Sequence, residues 1–330
     1  MILEQRIDAL LDAFEYGQSG LDLVIQALES KSEEVQEAAY LLLQDSTELR
    51  VRVALEAYNP YLFFKCLCTI QAYPNRGYRV GSVAVSSNRQ TLVSCDCDGM
   101  IKEWNLHTQQ IINTFKIEEI YAWAGSRNLA VAINLDEQIL GVGSFTSHAE
   151  VWDIKAGRKI TTVDGAEAFV RVTTSLDGQT FVSTDGQNYF YFWNMQTGEI
   201  ISRLREIPES YPRLYLIYLD SQTLVTRHKD EANRNIIYLW DWHTKQIIHT
   251  FDMHSHCPDS AVISPDGRFL LSASQESETI IVWSLKTGKE LSTITGNSSS
   301  IWSLALSLDG QTLVSGSRYG KVEVWCGSIP

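Results

Sequence analysis

Four consecutive residues, His254-Ser255-His256-Cys257, carry the densest set of metal-ligating side chains in this 330-residue chain. Imidazole and thiolate both ligate zinc, but three ligands drawn from four consecutive residues cannot surround one tetrahedral ion without distortion. The stretch is therefore expected to be a polar surface loop, with no metal and no cofactor. Two Cys-x-Cys pairs, Cys66/Cys68 and Cys95/Cys97, are the other concentration of reactive groups. Residues two apart on a strand share a face, so Cys66 or Cys68 could meet Cys326 if their strands pair. The plainer expectation is reduced thiols serving as small apolar side chains inside a sheet. The sequence has no phosphate loop, no His-Glu-x-x-His, no strand-bound Gly-x-Ser-x-Gly and no Gly-x-Gly-x-x-Gly after a strand. Gly141-Val142-Gly143 is a fragment suited to close strand packing. The chain is not expected to be an enzyme.

Binding is better provided for than catalysis, and the elements that must position the binding residues are set by a repeat. Trp104, Trp152, Trp193, Trp240, Trp283 and Trp325 recur at intervals of 41 to 48 residues. A period in the forties indicates propeller blades. In register with the tryptophans stand the turn pairs Asn88-Arg89, Asp136-Glu137, Asp177-Gly178, Asp220-Ser221, Asp266-Gly267 and Asp309-Gly310. Asp, Asn and Gly tolerate the backbone angles of a tight reversal. Between these markers run β-branched stretches such as Ile236-Ile237-Tyr238-Leu239 and Thr279-Ile280-Ile281-Val282, which read as strands.

These residues resemble the WD-repeat (WD40) family of β-propellers over roughly residues 62 to 330, and in particular its bacterial, cyanobacterial-type repeats. The strings Ser175-Leu176-Asp177-Gly178-Gln179-Thr180-Phe181-Val182-Ser183 and Ser307-Leu308-Asp309-Gly310-Gln311-Thr312-Leu313-Val314-Ser315 carry that likeness. Literal Trp-Asp pairs stand at Trp152-Asp153 and Trp240-Asp241. The family's Asp six residues before the blade tryptophan is matched by Asp98, with Thr146, Gln187, Arg234, Ser277 and Tyr319 elsewhere. No blade has the family's Gly-His pair, so the blades are expected to lean on packing rather than on the family's His/Asp/Ser/Trp hydrogen-bond network.

The resemblance implies a mainly β fold, a six-bladed propeller over residues 61–330. The strand ending at Trp325 needs an outer partner, and the apolar stretch Leu62-Phe63-Phe64-Lys65-Cys66-Leu67-Cys68-Thr69-Ile70 is expected to supply it, closing the ring and hiding an edge. Related propellers bind through their narrow top face. Aligning the first strands puts Arg79, Arg127, Tyr211, Arg213, Asp259 and Trp302 at that rim, with Arg318 in the sixth blade's second turn. Arginine and aromatic residues dominate protein interfaces. Blades six and one adjoin after closure, so Arg79, Trp302 and Arg318 are expected to form one patch.

Before the propeller, residues 1–60 change to a helical period. Apolar stripes fall at Ile7/Leu10/Leu11/Phe14, Leu21/Val24/Ile25/Leu28 and Val35/Ala38/Ala39/Leu42/Leu43, and helix resumes through Glu48 to Tyr58 and stops at Asn59-Pro60. The stretch Ser32 to Leu42 resembles half of a HEAT-type repeat, and about sixty residues are too few to be stable alone. This segment carries −8 of the formal −13. An acidic chain lacks the concentrated positive surface that nucleic acid requires. No stretch approaches a membrane span and no leader is evident, so a cytoplasmic protein without a membrane partner is expected. The leading functional expectation is a non-enzymatic scaffold or adaptor whose top face holds another protein, through an acidic or phosphorylated segment. A sensor or regulatory subunit of a larger complex is the alternative, as is an enzyme or metal-binding propeller with a central-channel site.

Overall fold

A computed structural model describes residues 9–14, 17–30, 32–43, 46–62, 64–74, 79–117, 130–134, 139–143, 148–164, 169–174, 180–185, 189–194, 197–205, 215–219, 223–229, 235–241, 244, 246–252, 258–274 and 278–327. Among the described residues, residues 9–14 are helical, and three further helices, α1 (Gln18–Ala27), α2 (Glu33–Leu43) and α3 (Leu49–Tyr58), follow them before the strands. β1 (Lys65–Gln71) comes next and is set aside by the chain for later use. The first sheet then comprises β2 (Val80–Val85), β3 (Thr91–Asp96), β4 (Met100–Asn105) and β5 (Ile111–Lys116). The second holds β6 (Ala130–Asn134), β7 (Ile139–Gly143), β8 (His148–Asp153) and β9 (Arg158–Asp164); the third, β10 (Phe169–Thr174), β11 (Thr180–Asp185), β12 (Tyr189–Asn194) and β13 (Ile200–Arg205). The fourth holds β14 (Tyr215–Leu219), β15 (Thr223–Lys229), β16 (Asn235–Asp241) and β17 (Gln246–Asp252); the fifth, β18 (Pro258–Ile263), β19 (Phe269–Ser274), β20 (Ile280–Ser284) and β21 (Glu290–Ile294). In the sixth, β22 (Ile301–Leu306), β23 (Thr312–Ser317) and β24 (Lys321–Cys326) are completed by β1.

Each sheet is antiparallel, and the innermost strands touch in the order β2, β6, β10, β14, β18, β22 and back to β2. This is a propeller. Its closure is the pairing of β1 with β24, in which Cys66 stands opposite Trp325 and Gln71 opposite Lys321. Cys326 lies opposite Lys65, so the register does not set it against Cys66 or Cys68; the described cysteines Cys66, Cys68, Cys95, Cys97 and Cys326 are free. Beyond β1 the Tyr73 amide donates to the Gly320 carbonyl at 2.9 Å, and the Gln71 side-chain amide donates to the Tyr319 carbonyl at 2.9 Å. Gly320 has φ +72°, and a Cβ there would collide with the Tyr73 carbonyl oxygen, so the latch admits only glycine.

The opposite end of the same seam is tied by Arg89, whose guanidinium lies 3.2 Å from the Asp309 carboxylate and donates to Gln311 Oε1 at 2.9 Å. Arg89 itself takes φ 56° where Gly267 and Gly310 serve in the equivalent turns. In each of these three turns a serine hydroxyl and backbone amides converge on an Asn or Asp side chain, as with Ser86 and Asn88, Ser264 and Asp266, and Ser307 and Asp309.

The expectation that the blades rely on packing alone is overturned. All six blade tryptophans donate their indole N–H to a residue of their own sheet. Trp104, Trp193, Trp283 and Trp325 bond Ser94, Ser183, Ser272 and Ser315 at 2.9 to 3.0 Å, while Trp240 bonds Thr226 at 2.7 Å and Trp152 bonds Glu150 at 2.8 Å. Where the family keeps histidine, other side chains complete the chain of bonds. Ser315 donates to Asn297 Oδ1 at 2.9 Å, and Asn297 passes a bond to the Glu278 carbonyl at 3.1 Å. In the first sheet the Tyr73 hydroxyl, with one proton to donate, lies 2.9 Å from both the Ser94 and Met100 carbonyl oxygens and 3.2 Å from the Ser94 hydroxyl. The requirement is a polar tip that reaches the serine from the preceding loop, and neither geometry nor hydrogen-bond capacity restricts that to imidazole.

The helices pack on the fifth and sixth sheets. Val24, Leu28, Val35, Ala39, Leu43, Val51 and Leu55 join one core with Phe269, Leu271, Leu291 and Trp325. Each such buried aliphatic contributes about 1.5–3 kcal/mol relative to exposure. The first stripe is only partly used: Leu10 is buried, whereas Leu11 is 49% and Phe14 39% exposed, and Ile7 falls outside the described residues. The join is also polar, since fully buried Asn59 donates to the Tyr40 hydroxyl and to Ser292 at 3.1 Å each while its carbonyl accepts from the Tyr61 amide.

Two outcomes test this account. A chain shortened to begin at residue 72 loses β1 and bares the β24 edge, and light scattering with urea denaturation is expected to show aggregation or loss of cooperative unfolding; a soluble monomer unfolding in one transition contradicts the closure. Ser315→Ala leaves the Trp325 indole N–H and Asn297 without their shared partner, which should cost about 1–3 kcal/mol by the shift in urea midpoint, and an unchanged midpoint contradicts the network's role.

Candidate functional site

The seam that closes the ring also brings the rim residues together. β22 carries a bulge between Ile301 and Ser303, which leaves Trp302 out of the ladder with β23. The fifth sheet bulges at the same place, between Pro258 and Ser260, and so sets Asp259 at the corresponding backbone position. In the first sheet the bulge residue is Gly81, which has no side chain to offer, and Arg79 just before β2 occupies the space instead. Its guanidinium carbon sits 4.0 Å from the centroid of the Trp302 ring, a cation–π contact reaching from the first sheet to the sixth.

Arg318 follows β23, and its amide donates to the Ser300 carbonyl at 3.0 Å, two residues from Trp302. Its guanidinium is exposed and lies 5.9 Å from the ring of Tyr319, itself 59% exposed. Among the described residues neither Arg79 nor Arg318 has a carboxylate partner. On a chain of formal charge −13, Arg79 over the Trp302 indole and Arg318 beside Tyr319 are two cations without a carboxylate partner among the described residues. Lys102 adds a cation on the first sheet's side, donating to the Ala72 carbonyl at 2.6 Å above the Tyr73 ring.

Polar atoms beneath this surface are incompletely paired. The Trp302 Nε1, the Ser299 and Ser317 hydroxyls and Glu323 Oε2 are buried without a hydrogen-bond partner. Glu323 Oε1 accepts from the Ser298 amide at 3.0 Å, and Lys321 donates to the Ser298 hydroxyl at 3.1 Å. On the first sheet Asp96 is buried and accepts from the Asp98 and Met100 amides; burial pushes its carboxyl above the usual range, against the pull of those two donors. Burial likewise raises the Cys95 thiol well above its ordinary value, which keeps it a neutral core side chain.

Arg79, Trp302 and Arg318 are thus brought to one corner of the ring. Arg127, Tyr211, Arg213 and the His254-Ser255-His256-Cys257 stretch lie outside the described residues, as does the side chain of Asp259. Tyr319 and Lys321 were not singled out from the sequence. The signal for Tyr319 was present, because it replaces the aspartate that the family keeps six residues before the blade tryptophan. Among the described residues no three His, Cys, Asp or Glu side chains are grouped as metal ligands, and no helix is long and apolar enough to cross a membrane. A separate groove of about 340 Å³ on the helices is lined by Ala9, Leu10, Leu23, Gln26, Ala27, Ser30 and Val35. It has no titratable side chain in its lining, which suits it to apolar contact rather than chemistry.

The WD40 family model, described as WD domain, G-beta repeat, matches residues 64–105, 245–284 and 288–326, so the chain carries WD40 repeats. It is 22% identical over 190 residues to Autophagy-related protein 16 of Arabidopsis thaliana, covering 57% of this chain and 36% of that protein. It is 24% identical over 159 residues to Apoptotic protease-activating factor 1 of Rattus norvegicus, covering 48% of this chain and 12% of that protein. With Protein tipD of Dictyostelium discoideum the identity is 25% over 171 residues, 51% of this chain and 27% of that protein. The matched region thus spans about a third or less of the length of these relatives.

The corner is a surface feature, and its removal should leave the fold in place. Arg79→Ala forfeits one half-buried cation–π contact, for which about 0.5–2 kcal/mol is expected in urea denaturation. A loss above about 2 kcal/mol would make Arg79 a structural tie instead.

Proposed function

We propose that this protein is a non-enzymatic interaction scaffold built on a six-bladed propeller, with residues 1–60 as a helical, HEAT-like arm, and that it holds an acidic or phosphorylated segment of a partner protein at the top of blades six and one. WD40 propellers ordinarily serve as interaction scaffolds. The observation that carries the reading is the Arg79 guanidinium laid over Trp302 across the ring seam, beside an exposed Arg318, with no carboxylate partner for either among the described residues. Arginine stacked on tryptophan offers a rigid apolar face and a free donor fork in one place. An acidic segment would find there the positive potential that the rest of this acidic chain lacks. Arg127, Tyr211 and Arg213 extend the same rim in the sequence alignment and would lengthen the contact. The bacterial type of the repeats is supported by the two Ser-Leu-Asp-Gly-Gln-Thr strings.

Partner retention distinguishes this surface from the helical arm. After affinity purification from the native cell, Trp302→Ala or Arg318→Ala is expected to weaken partner binding by about 2 kcal/mol or more, as central anchors do, while the change at exposed Arg318 alters stability by only about 0.5 kcal/mol. Leu49→Asp and Val53→Asp, on the exposed face of α3, should leave it unchanged. Release by the α3 changes with full retention by the rim variants would move the binding surface to the helices.

A further inference from the structure

We infer that the groove on the helical segment is a docking site for a basic amphipathic helix of a partner protein, separate from the propeller rim. The sequence divides α1 into two neighbouring stripes. Val24 and Leu28 are buried in the core shared with the fifth and sixth sheets. Leu23, Gln26, Ala27 and Ser30 stand at i, i+3, i+4 and i+7 and line the groove over about two helical turns. Ala27 and Ser30 are small, which lets an incoming backbone come close, while Leu10 walls the groove from residues 9–14 and Val35 from α2. Apolar surface is left open around it, with Leu23 58%, Leu11 49% and Phe14 39% exposed. A helix carrying its own apolar residues at i, i+3, i+4 and i+7 would lay them along this stripe, ridge into groove.

Charge decides among the occupants that an apolar groove could take. Residues 1–60 hold twelve Asp and Glu against four Lys and Arg. Asp12 stands three residues after Ala9 of the lining and Glu29 next to Ser30, and both are exposed with no cationic partner among the described residues. Asp22, beside Leu23, differs in being paired with Arg50, which also pairs with Glu48 at 3.1 Å. A second copy of this chain would bring the same acidic segment to the contact, and like charges brought together oppose association. An anionic membrane surface is repelled for the same reason. A helix with Lys or Arg flanking its apolar stripe brings the opposite sign to Asp12 and Glu29. Its long side chains can also cover Leu11 and Phe14 with their methylenes while keeping their charges in water.

The test titrates the full-length protein into dye-labelled, capped peptides of about 14 residues, enough for about four helical turns, and follows fluorescence anisotropy at constant ionic strength. One peptide sets Leu on a helical stripe with Lys elsewhere, a second holds the same residues in scrambled order, and a third keeps the stripe with Glu in place of every Lys. The striped Leu/Lys peptide is expected to bind saturably, at a Kd at least tenfold lower than either other peptide. Leu23→Gln, at a largely exposed position, should weaken it at least fivefold. Asp12→Asn combined with Glu29→Gln should weaken it at least threefold, and this variant, confined to exposed side chains, decides the matter where Leu23→Gln shifts the urea midpoint. Equal binding of the scrambled peptide reduces the site to diffuse acidity and overturns the inference. Equal binding of the Leu/Glu peptide overturns the choice of a basic partner. Full affinity in both variants, or no saturable binding of the striped Leu/Lys peptide, overturns the assignment to this groove. A dimer in sedimentation that Leu23→Gln dissolves overturns it in favour of a second copy as the occupant.

Discussion

The pairing of residues 65–71 with residues 321–326 is the constraint on which the architecture depends. A propeller sheet has two open edges, and the inner ones are covered by neighbouring sheets around the ring. Among the six sheets described, the sixth is assembled from both ends of the sequence, so its fourth strand joins β24 across some 250 intervening residues. Loop-closure entropy for such a separation grows slowly with length, and the β1–β24 ladder, with Ile70 buried while most of β1 stays exposed, works against it. The latch is reinforced on both sides. Gly320 and Tyr73 join at one end, and Arg89 with Asp309 and Gln311 at the other.

The helical segment follows from the same economy of surface. Phe269, Leu271 and Leu291 share a core with α1 to α3, and Asn59 hydrogen-bonds Ser292 on the outer strand of the fifth sheet. The outer strands of other sheets expose their corresponding isoleucines: Ile111 and Ile112, Ile200 and Ile201, and Ile247 and Ile248 are about half exposed. Burial of Leu291 at 4% exposure marks where the helices lie. Sixty residues that bury too little among themselves gain a core by borrowing one.

Much of the architecture was legible because periodicity is a property of many residues at once. Losing the second Asp-Gly or the literal Trp-Asp pair in some repeats does not erase a period carried by six tryptophans, six turns and their strands. The hydrogen-bond network was misread for the opposite reason. It was sought through one residue type, histidine, whereas the physical requirement is a donor or acceptor at the end of a side chain rooted in the preceding loop. Asn297 and Tyr73 meet it with an amide and a phenol. Gly296-Asn297 stands in the place of the Gly-His pair, and that substitution was the visible clue. Of the rim, the register of the strands brought Arg79 to Trp302, because strand alignment fixes which residues begin and end each strand. It did not reveal that Arg79 stacks on the indole, since that depends on a bulge at Trp302 and on the absence of a side chain at Gly81.

The place of the proposed binding corner, on the closing seam, has an energetic consequence. Arg79 belongs to the first sheet, while Trp302 and Arg318 belong to the sixth, the sheet that the two distant segments build together. A ligand that contacts both sheets binds only the closed ring, and by linkage its binding free energy adds to closure as RT ln(1 + [L]/Kd). At a hundredfold excess over Kd that is about 2.7 kcal/mol, comparable with the stability carried by several tertiary contacts. The same ligand placed within one sheet would add as much to global stability and nothing specific to the seam. A partner bound at the proposed corner would therefore act as a clamp on the junction that the covalent chain leaves to strand pairing.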